Sequence, residues 1–255
     1  MIDGLFHLAG RIALVTGSSR GIGLTLARGL GRAGAEVILN GTRPEVLAAA
    51  ADELRAMGLR VHARPFDVTD PDQVTAAIEE IEASVGPIEI LVNNVGIQHR
   101  TPLTEFPLEA WQRLLTVNLT SAFLVGQAVG RRMIPRGHGK VINIHSMQSE
   151  LARPGIAPYA ASKGGLKMLT QSMCVEWARF GIQANGLGPG YFVTPLTQAL
   201  HDDPAFDTWL RARTPAGRWG DVEELVGAAV FLASRASDFV NGQTIYVDGG
   251  ILASI

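Results

Sequence analysis

The sequence predicts an α/β protein built as one doubly wound, mostly parallel sheet. Short apolar runs alternate with amphipathic stretches along the chain, the pattern of repeated β-α units. The first apolar run passes through a glycine-rich turn into a helical stretch, the context in which such sheets bind phosphate groups. No repeat, low-complexity tract or linker divides the 255 residues, so positions 1–255 read as a single domain large enough for a sizeable core.

Ile12 to Thr16 reads as a buried first strand, followed by Gly17-Ser18-Ser19-Arg20-Gly21-Ile22-Gly23 and a helix from Leu24 to Arg32. Glycines there let the backbone approach a pyrophosphate at a helix N-terminus, which makes Gly17, Ser19, Arg20, Gly21, Ile22 and Gly23 candidate cofactor residues. Their spacing, G-x-x-x-G-x-G, differs from the G-x-G-x-x-G fingerprint. Glu36 to Asn40 reads as the second strand, and a ribose-binding acid is expected just after it. No Asp or Glu lies between Val37 and Pro44. Arg20 and Arg43 either offer guanidinium groups to a 2′-phosphate, which selects NADP over NAD, or stand in solvent.

A helix over Pro44 to Met57, a strand over Arg60 to Phe66 and a helix over Pro71 to Val85 come next. Asp67 and Val68 close the third strand at a position suited to an adenine. Ile88 to Val92 reads as the fourth strand, closed by Asn93-Asn94-Val95-Gly96. There Asn94 could tie strand ends together and Gly96 permits close backbone approach. Pro107 to Met133 reads as a long apolar-patterned segment whose run is interrupted by Asn118, with helix boundaries at Thr104 or Pro107 and at Gly137. Lys140 to His145 reads as the fifth strand, ending at Ser146, and Pro158 to Phe180 as a helix. Ile182 to Leu187 reads as the sixth strand, broken by Gly188-Pro189-Gly190. The irregular, aromatic-rich stretch 191–219 lies where a substrate lid belongs in an open sheet. A helix over Asp221 to Ser234 and a strand over Gln243 to Val247 complete the chain.

Composition narrows the function. A net charge of −2 gives no electrostatic case for nucleic acid or an anionic membrane. The single cysteine, Cys174, excludes an internal disulfide and reads as a packed thiol suited to a reducing compartment. Met1-Ile2-Asp3-Gly4 lacks the basic start of a signal peptide, Ala253-Ser254-Ile255 is not the peroxisomal tripeptide, and no apolar run is long enough to span a bilayer. A cytoplasmic protein is the expectation, and no metal cluster is expected.

Tyr159 and Lys163 are four residues apart on a helix, so their side chains share one face. An ammonium beside a phenol lowers the phenol's pKa and makes it a usable acid or base. Ser146, at the end of a strand, could hold a carbonyl oxygen beside that phenol.

The elements Thr16-Gly17-x-x-x-Gly21-Ile22-Gly23, Asn93-Asn94-x-Gly96, Asn118, Ser146, Tyr159-x-x-x-Lys163 and Pro189-Gly190, in this order, resemble the short-chain dehydrogenase/reductase family over nearly the whole chain. The resemblance implies a Rossmann-type sheet of seven parallel strands and a homotetramer formed through the helices carrying Asn118 and Tyr159. It implies that Tyr159 is the general acid/base and that Lys163 lowers its pKa and bonds the nicotinamide ribose. Ser146 would polarise the carbonyl, Asn118 hold a relay water and Thr194 contact the nicotinamide carboxamide, with Pro189 and Gly190 beside the cofactor. Val95 replaces the family's usual alanine and is expected to crowd the adenosine, and His145, where a small residue is common, reads as packing. The loops Gly96 to Arg100, Ser146 to Leu151 and Thr214 to Gly220 resemble those of members acting on sugar acids. Arg100 and Arg153 then suit a carboxylate and Gln148 the hydroxyls. A 3-oxoacyl-carrier-protein reductase, another polyol or sugar dehydrogenase, and a non-catalytic NADP-binding sensor are the alternatives. An acyl chain calls for an apolar cleft, and a sensor has no need for Asn118, Ser146, Tyr159 and Lys163 together.

Overall fold

The computed structural model describes residues 3–254; the expectations drawn from Met1, Ile2 and Ile255 lie outside the described residues. A short helix α1 (Asp3–Phe6) precedes seven parallel strands: β1 (Ile12–Val15), β2 (Glu36–Gly41), β3 (Val61–Pro65), β4 (Ile88–Asn93), β5 (Gly139–Ile144), β6 (Ile182–Pro189) and β7 (Thr244–Val247). They lie in the order β3-β2-β1-β4-β5-β6-β7. The winding reverses between β1 and β4, where Leu14 pairs with Ile38 on one side and Leu91 on the other. This is the doubly wound parallel fold that the alternation predicts.

The central strands read as unbroken apolar runs because both their faces are covered. Side chains alternate: Ala13 and Val15 join one core, Ile12 and Leu14 the other. The first core packs α2 (Gly21–Arg32) and α3 (Pro44–Ala56) on the sheet through Leu26, Leu30, Leu47 and Leu54, all fully buried. On the other face, α4 (Pro71–Ser84) contributes Val74, Ile78 and Ile81.

The long helix expected over Pro107 to Met133 is broken. It consists of α5 (Leu108–Leu115), a π-helical turn over Thr116–Thr120 and α6 (Ser121–Arg136). The wider turn carries Asn118, and such insertions concentrate at functional positions. Strand β6 also runs further than expected, because Gly188 and Pro189 pair with Tyr246 and Val247 of β7. After α7 (Ala157–Trp177), the stretch expected to be irregular holds two helices, α8 (Gln198–His201) and α9 (Pro204–Arg213). Asp203 caps α9 by accepting from the Ala205 and Phe206 amides. The predicted helix over Asp221 to Ser234 begins as a 3-10 turn capped reciprocally by Asp221 and Glu224, then continues as α10 (Val226–Ala233). A third, smaller core joins Met147, Leu210, Trp219 and Ile251 outside the two that flank the sheet. Among the described residues no helix is long and apolar enough to cross a membrane.

Candidate active site

A cleft of about 980 Å³ runs along the carboxyl ends of the strands. It is lined by every candidate residue named from the sequence except Asn118.

At one end the glycine turn is shaped for an anion. Gly17 and Gly21 hold φ angles of +62° and +57°, which residues with a Cβ rarely adopt. A Cβ at Gly23 would lie 2.4 Å from Asn94 Nδ2 and 2.5 Å from the Gly17 carbonyl oxygen. Asn94 holds this turn by donating to the carbonyls of Thr16 and Gly17 at 3.0 and 3.1 Å. The first turn of α2 contains no acidic residue, so its free amides face the cleft without a competing charge. These residues fit a dinucleotide's phosphates. Val95, expected to crowd the adenosine, packs against the turn itself: a Cβ at Gly17 would come within 2.9 Å of its Cγ2.

Further along, Asn40 ties three strand ends together, accepting from the Gly17 amide at 3.2 Å and donating to the Phe66 carbonyl at 2.9 Å. Arg20 and Arg43 stand exposed at this rim. Asp67 accepts at one carboxylate oxygen from the Thr69 amide and hydroxyl, at 2.8 and 2.7 Å.

At the centre, Lys163 is buried and donates to the Ile144 carbonyl at 2.6 Å, which fixes it to the end of β5. Burial brings its pKa down to about 8. An ideal Cβ at Gly96 would lie 3.8 Å from both Lys163 Nζ and Asn118 Oδ1, so these groups converge on that glycine. Asn118, outside the cleft wall, clamps the neighbouring loop by accepting from the Ile97 amide at 2.8 Å and donating to its carbonyl at 3.0 Å.

Lys163 stands beside Tyr159 on α7. Its Nζ lies 5.9 Å from the phenol ring centroid and is held by a carbonyl. Burial raises the phenol pKa, while a hydrogen bond with Ser146 pulls the other way. Desolvation outweighs a cation that is directed elsewhere.

At the far end stand Arg100, Gln148 and Arg153. Burial and then the charge of Arg153 lower the pKa of Arg100, as expected of two cations held near each other. Arg153 lies over the Phe206 ring at 4.9 Å, with Nη1 3.5 Å from Tyr191 Oη. The sequence reading missed Arg113 as a cleft residue and did not connect Tyr191 to Gln148 and Arg153. Arg113 reads locally as the solvent face of an amphipathic helix, and only the placement of α5 turns it into the cleft. His145 points away, into a buried network with Thr170 and Thr244. Cys174 is half-buried, and burial raises its thiol pKa. Among the described residues, no three His, Cys, Asp or Glu side chains converge as metal ligands.

Comparison with known proteins places this geometry. A family model described as enoyl-(acyl carrier protein) reductase matches residues 17–252. Gluconate 5-dehydrogenase of Gluconobacter oxydans (strain 621H) is 59% identical, with 98% of each chain covered. The 5-keto-D-gluconate 5-reductase of Escherichia coli (strain K12) is 56% identical, with 100% of each chain covered. The crystal structure of a gluconate 5-dehydrogenase from Burkholderia cenocepacia J2315, in complex with NADP and tartrate, superimposes with a TM-score of 0.98 at 60% identity, covering 100% of each chain.

Proposed function

The chain belongs to the short-chain dehydrogenase/reductase family, a family of enzymes that act on CH–OH groups, and we propose that it interconverts D-gluconate and 5-keto-D-gluconate with NADP. One observation carries this reading: the cleft has unpaired arginines at both ends. Arg20 and Arg43 flank the ribose position, Arg100 and Arg153 stand at the far end, and Arg113 also lines the cleft. None of the five forms a salt bridge among the described residues, whereas nine other arginines do. Asp67 is the cleft's one carboxylate. Cations left unpaired in a cleft attract anionic ligands, here a 2′-phosphate at one end and a sugar-acid carboxylate at the other.

The bound nicotinamide supplies the hydride for ketone reduction and accepts it in the reverse direction. Gly17, Ser19, Gly21, Ile22 and Gly23 hold the pyrophosphate, with Arg20 and Arg43 at the 2′-phosphate. Asp67 and Val68 contact the adenine. Asn94, Gly96, Pro189, Gly190 and Thr194 frame the remaining cofactor wall, and Lys163 bonds a ribose hydroxyl. Tyr159 gives its phenolic proton to the substrate oxygen during reduction and takes it back during oxidation. Ser146 donates a hydrogen bond to that oxygen. Asn118 braces the loop beside Lys163 and holds a relay water. Arg100 and Arg153 take the carboxylate and Gln148 a hydroxyl, while the segment 191–219 covers the substrate. The far end offers charge and amide groups where an acyl chain would need an apolar channel. The joint presence of Asn118, Ser146, Tyr159 and Lys163 speaks against a sensor without turnover.

Exposed apolar side chains on three helices, Leu108 on α5, Phe123 on α6, and Met168 and Val175 on α7, support assembly through these helices into a homotetramer. The single cysteine fits a cytoplasmic enzyme. The direct test follows the absorbance of NADPH, and separately of NADH, with 5-keto-D-gluconate. Oxidation of NADPH in preference to NADH is expected. Loss of neither coenzyme would refute the substrate assignment.

A further inference from the structure

The Ser146 hydroxyl has one proton and more than one acceptor competing for it. In this structure the proton goes to Gln148 Oε1, two residues along the chain. Ser146 Oγ also accepts from the Gln148 amide at 3.2 Å, so the loop closes on itself. The other end of the same side chain, Gln148 Nε2, lies 3.4 Å from Tyr191 Oη, which also meets Arg153 Nη1. Tyr159 lines the same part of the cleft as Ser146. While Gln148 holds the serine proton, Ser146 has none to give to a substrate carbonyl.

We propose that Gln148 is a positioning residue that parks the Ser146 proton until a substrate hydroxyl takes the Gln148 amide. This rests on the sugar-acid reading for the identity of the ligand. A ketone with a hydroxyl on the neighbouring carbon occupies the amide and releases the serine proton toward the carbonyl oxygen. The hydroxyl is therefore read in turnover as well as in binding. No covalent bond changes in this step; one O–H···O contact is exchanged for another.

Two measurements test it, both with Gln148→Leu, which keeps bulk but removes the acceptor. The first compares the reduction of 5-keto-D-gluconate with that of its analogue lacking the hydroxyls on both carbons next to the ketone, C4 and C6. The wild type is expected to favour the hydroxylated compound about tenfold in kcat, the scale of one hydrogen bond. In Gln148→Leu that kcat ratio falls toward one. A ratio unchanged in kcat, with only KM raised, would reduce Gln148 to a binding contact and overturn the proposal.

The second measurement needs no substrate. The chain has three tyrosines, so ultraviolet titration of each protein against its Tyr159→Phe counterpart isolates Tyr159. Freeing the serine proton to stabilise the phenolate moves the Tyr159 titration to lower pH in Gln148→Leu, and Ser146→Ala abolishes that difference. An unmoved titration, or one that moves equally with Ser146 absent, overturns the proposal. If neither ketone is reduced, the sugar-acid reading fails, and the titration still decides the role of Gln148.

Discussion

His145 should make this protein lose stability in mild acid. The ring is almost fully buried between Thr170 and Thr244. Thr170 Oγ1 donates to the Leu166 carbonyl at 2.8 Å, so it can only accept from His145 Nε2, also at 2.8 Å. Nε2 therefore carries the hydrogen, and Nδ1 accepts from the Thr244 hydroxyl at 3.1 Å. Burial first, and then the charges of Lys163 and Lys167, bring its pKa from 6.5 to about 3. Between those values the unfolded chain binds a proton that the folded chain refuses, so stability rises with pH through the window and falls as acid is added. From about pH 7.5 to about pH 4.5 roughly two pH units of that window are crossed, a loss on the order of 3 kcal/mol. Urea unfolding of the wild type and His145→Gln at both pH values and one protein concentration measures it. The variant starts less stable, because its buried contacts are poorer, but should lose about 3 kcal/mol less on acidification. Carboxylates such as Glu224, which also weaken the fold in acid and do not interact with His145, are present in both proteins and cancel in the difference. Parallel losses in the two proteins would refute the reasoning.

Removing the phenol in Tyr159→Phe should lower kcat by about 10²–10⁴-fold while leaving NADPH binding, read by fluorescence, close to wild type. Arg43→Ala should raise the KM for NADPH by about tenfold and leave that for NADH nearly unchanged, since NADH has no 2′-phosphate; equal changes would remove Arg43 from that role. Gly23→Ala drives a methyl into Asn94 Nδ2 and the Gly17 carbonyl. It should weaken coenzyme binding at least tenfold in a calorimetric titration, with the circular dichroism of the sheet retained.

The fold was legible because its signals are local. Strands buried on both faces appear as Ile-, Leu- and Val-rich runs, and the Gly17 to Gly23 turn announces a β-α junction in its spacing. The Tyr159/Lys163 pair was legible for the same reason, since helical geometry alone brings residues four apart together. The π-turn around Asn118 was not, because each of its residues suits an ordinary helix. Helix α9 left a signal that was passed over: Asp203-Pro204 is an N-cap followed by proline at the first helical position. Arg113 left none, as a polar residue on an amphipathic helix reads as solvated wherever the helix goes. The raised Tyr159 pKa lay beyond reach too, since it depends on burial and on where Lys163 spends its hydrogen bond.

The small core of Met147, Leu210, Trp219 and Ile251 bears on how the molecule breathes. It shares no buried residue with the two cores beside the sheet, so it can come apart while they stay intact. Amides of α9 should then exchange with solvent faster than those of β4 and β5. Met147 directly follows Ser146, so loosening of this core would also slacken the loop that carries the serine. The aim of the serine therefore depends on a core that is separate from those that hold the sheet together.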